Sequence, residues 1–153
     1  MTTCWAMSTM KTESPTTFAA IRFMGDALEP QRITEILHAA PTTAYRKGQV
    51  YKRSRGREVR GRTGVWLLSS KGHVQSSDLN EHLSYLLRIL FPIGSNDRAS
   101  SLRDILRAEH LEADVPVFWH GPTGAHPPMI RDDIRAVFAR LPAQIEEDFH
   151  EAA

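Results

Sequence analysis

The sequence predicts an α+β fold in which helices cover one face of a mainly antiparallel sheet. Three observations carry this reading. Residues 60–91 place the strongest strand pattern and the strongest helix pattern back to back. Thr17 to Met24 alternates at the period of a strand. Helical and extended patterns then interleave along the chain in the order β-α-β-β-α-α-β-α-β.

Taking the elements in order, residues 1–16 are polar, Thr-rich and aperiodic, and are expected to form a flexible tail. Ala19, Ile21 and Phe23 then alternate with Phe18, Ala20 and Arg22, the signature of a strand over Thr17–Met24. Gly25-Asp26 turns the chain. Pro30 at a first helical position, followed by Ile33, Ile36, Leu37 and Ala40, predicts an amphipathic helix stopped by Pro41, with His38 on its surface.

Residues 46–62 predict a β-hairpin with its tip near Ser54–Arg57 and its second arm running directly into the next strand. Val65, Trp66, Leu67 and Leu68 are four apolar residues between turn residues, which predicts an interior strand covered on both faces. Lys71-Gly72 turns. Asp78 is placed to cap a helix, with Glu81 three residues on to reach back to the cap's own N–H. Leu79, Leu83, Leu86, Leu87 and Leu90 form its apolar stripe, and Pro92 and Gly94 end it.

Asn96-Asp97 caps the next predicted helix, whose apolar face is Ala99, Leu102, Ile105 and Leu106. Glu112–His120 reads as a strand with Val115, Val117 and Trp119 on one face. Pro116 cannot donate to a ladder, so this strand is expected at an edge or a bulge. After the Gly/Pro-rich stretch 121–128 come a helix opening at Asp132 or Asp133 and a final strand, in which Ile145 and Phe149 alternate with acids. This order matches a ferredoxin-like split β-α-β core with an added C-terminal helix and strand.

A chain of 153 residues fits one domain, expected over residues 17–150. Folding at this size buries about 68–70% of the extended chain's surface, enough to stand without staples. The one cysteine, Cys4, rules out a disulfide framework, and a reducing cytoplasmic location is expected. No apolar run reaches the roughly 18 residues of a membrane span, and the N-terminus lacks the layout of a secretory signal.

The net charge of +1 conceals a strong asymmetry. Residues 46–62 hold eight basic side chains and one acid, a net +7, while the remaining 11 basic and 17 acidic side chains give −6. Hairpin arms made mostly of arginine must be solvated or covered by something acidic. Arg46, Lys47, Arg53, Arg55, Arg57, Arg60 and Arg62 are therefore candidate ligand-binding residues. Trp66 and Trp119 have two readings. They are core aromatics on neighbouring strands, or a partly exposed platform that stacks a ligand beside Arg46 or Arg62.

Tyr45-Arg46-Lys47-Gly48, Thr63-Gly64-Val65-Trp66 with Leu68-Ser69-Ser70, Asp78-Leu79-Asn80-Glu81-His82-Leu83 and Phe118-Trp119 recur in this order in a known family. By these motifs the chain resembles the domain-of-unknown-function 4279 family from about Phe18 to Phe149. Tyr45 stands where such proteins usually carry Trp. The resemblance implies a shared fold, found mostly in bacteria, and supplies no catalytic residue.

Direct chemistry is sparse. The seven histidines form no H-E-x-x-H or H-x-H pattern, and neither a nucleophile elbow nor a phosphate loop occurs. His120 and His126 flank the Pro/Gly-rich stretch and are the one pair that invites a general-base or metal role. Asp132-Asp133 suit a helix N-terminus. No cofactor is expected. The charge split favours a non-enzymatic binding module that meets an acidic protein or an anionic ligand, an immunity-type protein being one form of it. Nucleic-acid binding through the basic run with Tyr45 and Tyr51 is the second class, and an enzyme built around His120 and His126 is the third. The same charge split offers a route to self-association.

Overall fold

The computed structural model of the chain describes residues 16–52, 56–92 and 97–152. The expected tail therefore lies outside the described residues, except for Thr16. Strand β1 runs over Thr16–Gly25, helix α1 over Pro30–Leu37, and β2 over Thr43–Tyr45. The hairpin strands are β3, Val50–Lys52, and β4, Glu58–Arg60; β5 follows at Gly64–Ser69. Helices α2 (Leu79–Leu90) and α3 (Asp97–Ala108) precede β6 (Glu112–Gly121), and α4 (Asp132–Ala139) precedes β7 (Gln144–Glu151).

Five strands form one sheet in the order β2-β5-β1-β6-β7, and β3 and β4 pair in a separate two-stranded ribbon. Pairing is antiparallel except between β6 and β7, which run parallel. The class is α+β, as the sequence predicts.

The core lies on one face of the sheet. Ala19, Ile21 and Phe23 of β1, Trp66 and Leu68 of β5, and Val115 and Val117 of β6 form one buried cluster with residues from all four helices among those described. Ile33 and Leu37 come from α1, Leu83 and Leu86 from α2, Leu102 from α3, and Ile134 and Phe138 from α4. The apolar stripes read from helical spacing are thus the faces that pack.

Local signals set the ends of these elements. Pro30 opens α1, and His38 closes it in the left-handed conformation at φ 53°, so the helix ends at Leu37, ahead of Pro41. Asp78 caps α2 by accepting from Asn80 N–H at 3.0 Å. The reciprocal half of the expected capping box is replaced: Asp78 N–H donates to Ser76 Oγ at 2.9 Å. The cap expected at Asn96 falls outside the described residues.

The fold corrects three expectations. The second hairpin arm does not run on into the following strand. The chain leaves β4 at Arg60, crosses Gly61–Thr63 and begins β5 in a different sheet. Strand β2, too short to show a period, takes the edge place beside β5. Strand β6 is interior rather than at an edge, flanked by β1 and β7. It keeps one register with β1 on both sides of Pro116, while the ladder lapses opposite Val115 and Pro116, where the missing N–H falls. Finally, β5 is fully covered on one face only: Trp66 and Leu68 are buried, Val65 and Leu67 half-buried.

Candidate functional site

The basic hairpin is held to the body by its stem. Gly48 N–H donates to Gly61 O at 2.8 Å and Gly61 N–H to Gln49 O at 2.9 Å, which extends the β3–β4 ladder (Val50↔Arg60, Tyr51↔Val59, Lys52↔Glu58) to the base of the ribbon. Gly48, at φ +82°, makes the turn there, a conformation that glycine adopts without a Cβ penalty. Tyr51 of the ribbon lies flat on Tyr45 of β2, with ring centroids 4.1 Å apart and planes 8° from parallel. That stack ties the ribbon to the edge of the main sheet.

Acids of the body neutralise part of the basic run. Arg46 lies 2.6 Å from Glu29 Oε1, through Nη2, and Lys47 Nζ lies 3.0 Å from Asp26 Oδ2. Asp26 also accepts from Thr63 Oγ1 at 2.9 Å. One carboxylate thus grips the chain on both sides of the ribbon. Hydrogen bonds from Lys47 and Thr63 hold the Asp26 carboxyl below its ordinary range, and the bond to Glu29 raises Arg46.

The remaining described arginines of the run are placed differently. Arg57, Arg60 and Arg62 are exposed and form no ion pair among the described residues; Arg60 donates to Gly48 O at 2.9 Å. All three line a cavity of about 530 Å³ together with Tyr45, Tyr51 and Thr63, and no carboxylate among the described residues lines it. A cavity walled by guanidinium forks and aromatic edges suits carboxylate or phosphate oxygens. Arg53 and Arg55 lie outside the described residues. Arg46 and Lys47 lie at the base of the ribbon, engaged by Glu29 and Asp26, and do not line the cavity.

Trp66 and Trp119 are not part of this surface. Both are buried, at 0% and 3% exposure, and Trp66 donates its Nε1–H to Thr34 Oγ1 at 3.0 Å. Trp119 packs edge-on to Phe149 of β7. They are core aromatics rather than a platform beside Arg46 or Arg62.

His120 and His126 are both exposed, and no hydrogen bond or ring contact joins them. Among the described residues no group of three His, Cys, Asp or Glu side chains is placed to hold a metal ion. A serine–histidine pair that the sequence reading passed over does exist: Ser70 Oγ lies 2.6 Å from His82 Nδ1. Ser70 is 0% and His82 1% exposed, and Ser70 Oγ already accepts from Ala19 N–H at 2.9 Å. A substrate carbonyl has no route to that oxygen, so the pair is structural.

The family model described as "Domain of unknown function (DUF4279)" matches residues 14–150. No curated protein and no solved structure matches the chain.

Proposed function

We propose that this chain, which belongs to the DUF4279 family, is a non-enzymatic binding module whose basic ribbon receives a carboxylate-rich surface of a partner protein. The observation that carries the reading is the division of labour within the basic run. Body acids hold Arg46 and Lys47, whereas Arg57, Arg60 and Arg62 line a cavity that no carboxylate among the described residues lines. Planar guanidinium groups pair with carboxylates in two-pronged fashion, and the +7 segment against a −6 remainder would orient an acidic partner during approach. An immunity-type role, in which the ribbon covers an acidic surface of a toxin, is one form of this function. The antiparallel order β2-β5-β1-β6 supports a ferredoxin-like split β-α-β core as the scaffold.

The test is fluorescence anisotropy with a labelled deca-glutamate peptide and with labelled single-stranded RNA and DNA, at low and at physiological salt. Binding of the peptide that is lost in the Arg57→Ala/Arg60→Ala/Arg62→Ala variant supports the proposal. Absence of peptide binding at low salt, or unchanged binding by the variant, overturns it. Preferential binding of nucleic acid, with a log–log salt slope of about −0.7 to −0.9 per phosphate contacted, moves the assignment to nucleic acid.

A further inference from the structure

A second concavity, sharing no lining residue with the first, opens where β1 ends and β6 and β7 begin. Its volume is about 870 Å³, within the range of small-ligand sites. The floor is apolar, made by Met24, Leu106, Leu111, Leu141 and Ala143. One wall carries Arg103 and Arg107, which stand one turn apart on α3. Arg103 is steadied there by donating to Arg140 O, at the end of α4, at 3.3 Å. The strand wall carries Glu112, Asp114 and Glu146.

These charges do not neutralise one another. Asp114 is taken by Arg22, whose Nε and Nη2 donate to its two carboxylate oxygens at 2.9 and 2.6 Å. Asp114, and more weakly Glu146, raise the Arg22 guanidinium above its ordinary value. Arg103, Arg107, Glu112 and Glu146 form no ion pair among the described residues. The cavity therefore holds cations on its helical wall and carboxylates on its strand wall, apart, above an apolar floor. Opposite charges held apart in one cavity form a pattern that an occupant with two separated charges would complement.

We infer that this cavity is a binding site for a short apolar peptide held by both termini, its carboxylate on Arg103 and Arg107 and its ammonium on Glu112 and Glu146. A free amino acid has its two charges on one carbon and cannot answer both walls. A cavity of about 870 Å³ is on the order of 10 Å across, and a tripeptide at about 3.3 Å per residue spans that distance. Its side chains would rest on Leu106 and Leu111, and the charge-assisted bonds at its ends would fix its direction.

The probe is the tripeptide Ala-Leu-Ala, added to ¹⁵N-labelled protein and followed by amide shifts and by calorimetry. The expected result is saturable binding that moves the amides of Leu111, Ala113 and Gln144. Acetylating the amino end or amidating the carboxyl end should each weaken it by about tenfold or more, as losing one charge-assisted hydrogen bond implies. Arg107→Gln and Glu112→Gln should each mimic the matching cap, and both residues are exposed, so a thermal melt of each variant should match the parent. No binding at millimolar peptide, binding indifferent to both caps, or shifts confined to other residues overturns the inference. Because Arg57, Arg60 and Arg62 lie elsewhere, their triple variant should bind the tripeptide normally, which separates this result from that of the basic ribbon.

Discussion

Ser70 Oγ lies 2.6 Å from Nδ1 of His82, fully buried, where the end of β5 meets the first turns of α2. The other ring nitrogen, Nε2, lies 2.7 Å from Ser76 O. A carbonyl only accepts, so Nε2 carries a proton, and in the neutral imidazole Nδ1 then accepts from the serine hydroxyl. Ser70 Oγ in turn receives Ala19 N–H, so strand, turn and helix are joined through one chain of bonds. The Ser-Ser and Asp-x-x-Glu-His stretches of this chain are thus a structural clasp: Ser70 and His82 bond, and Asp78 caps the helix that carries His82.

Ser70→Ala tests that clasp. It leaves a buried imidazole nitrogen and a buried amide N–H without their partner, a loss of about 1–3 kcal/mol. The midpoint of urea unfolding should fall while its slope stays constant, since the surface exposed on unfolding is unaltered. A midpoint equal to the parent's would show that the clasp adds no net stability.

Asp26 predicts a pH dependence centred on the ribbon. Its carboxyl is held below the ordinary value by Lys47 and Thr63, so the folded state favours the ionised form. The sign follows: the contribution is present above the unfolded carboxylate value and is lost as pH falls through the lower folded value. Asp133, lowered by Arg131, acts in the same direction. Side-chain NMR titration should place Asp26 below a random-coil aspartate, and Asp26→Asn should release the ribbon amides to faster hydrogen exchange. An Asp26 titration at the random-coil position would contradict the grip seen between Lys47 and Thr63.

The elements with a strong period were legible in the sequence, and those without one were not. Leu79, Leu83, Leu86 and Leu90 repeat often enough to mark a buried helix face, and each is 0% exposed. Thr43-Ala44-Tyr45 has three residues and no period, so nothing in it announced the edge strand beside β5. Pro116 misled because a proline's missing N–H is costly in a ladder; the structure places that gap where β6 and β1 are not bonded. The basic ribbon was visible as composition, whereas the tyrosine stack that docks it depends on Tyr45 and Tyr51 meeting across two sheets. The second cavity left no trace, because Arg103 and Arg107 at helical spacing look like any solvated face.

Trp66 separates the core from the site. Trp66→Ala removes a fully buried indole and should cost about 3–5 kcal/mol, a large part of the stability of a domain of this size. Trp66→Phe keeps most of the packing and leaves Thr34 Oγ1 without its donor, a smaller loss of about 1 kcal/mol or more. Both effects should appear in thermal unfolding, and the peptide affinity of the Phe variant should equal the parent's. Weaker peptide binding by Trp66→Phe at a temperature where it is folded would return the indole to the site.

Gly61 is where the ribbon's geometry can be broken without touching an arginine. A Cβ at this position would stand 2.8 Å from Cδ1 of Tyr45 and 3.1 Å from Arg46 O. The backbone there has little room to yield, because Arg46 N–H bonds Gln49 Oε1 and the Arg46 guanidinium is held by Glu29. The Tyr45 ring must therefore move, and it lies flat on Tyr51, so both walls of the cavity shift together. Gly61→Ala should cost about 1–3 kcal/mol, as overpacking does, and should also weaken deca-glutamate binding. Gly72→Ala supplies the control: its φ of +86° makes alanine strained by about 1 kcal/mol, yet nothing lies within 4 Å of the added Cβ. Comparable destabilisation in the two variants, with peptide affinity lost only at Gly61, would tie recognition to the docked ribbon. Equal affinity in both would mean that the arginines bind as loose charges, with no need of the tyrosine stack that positions them.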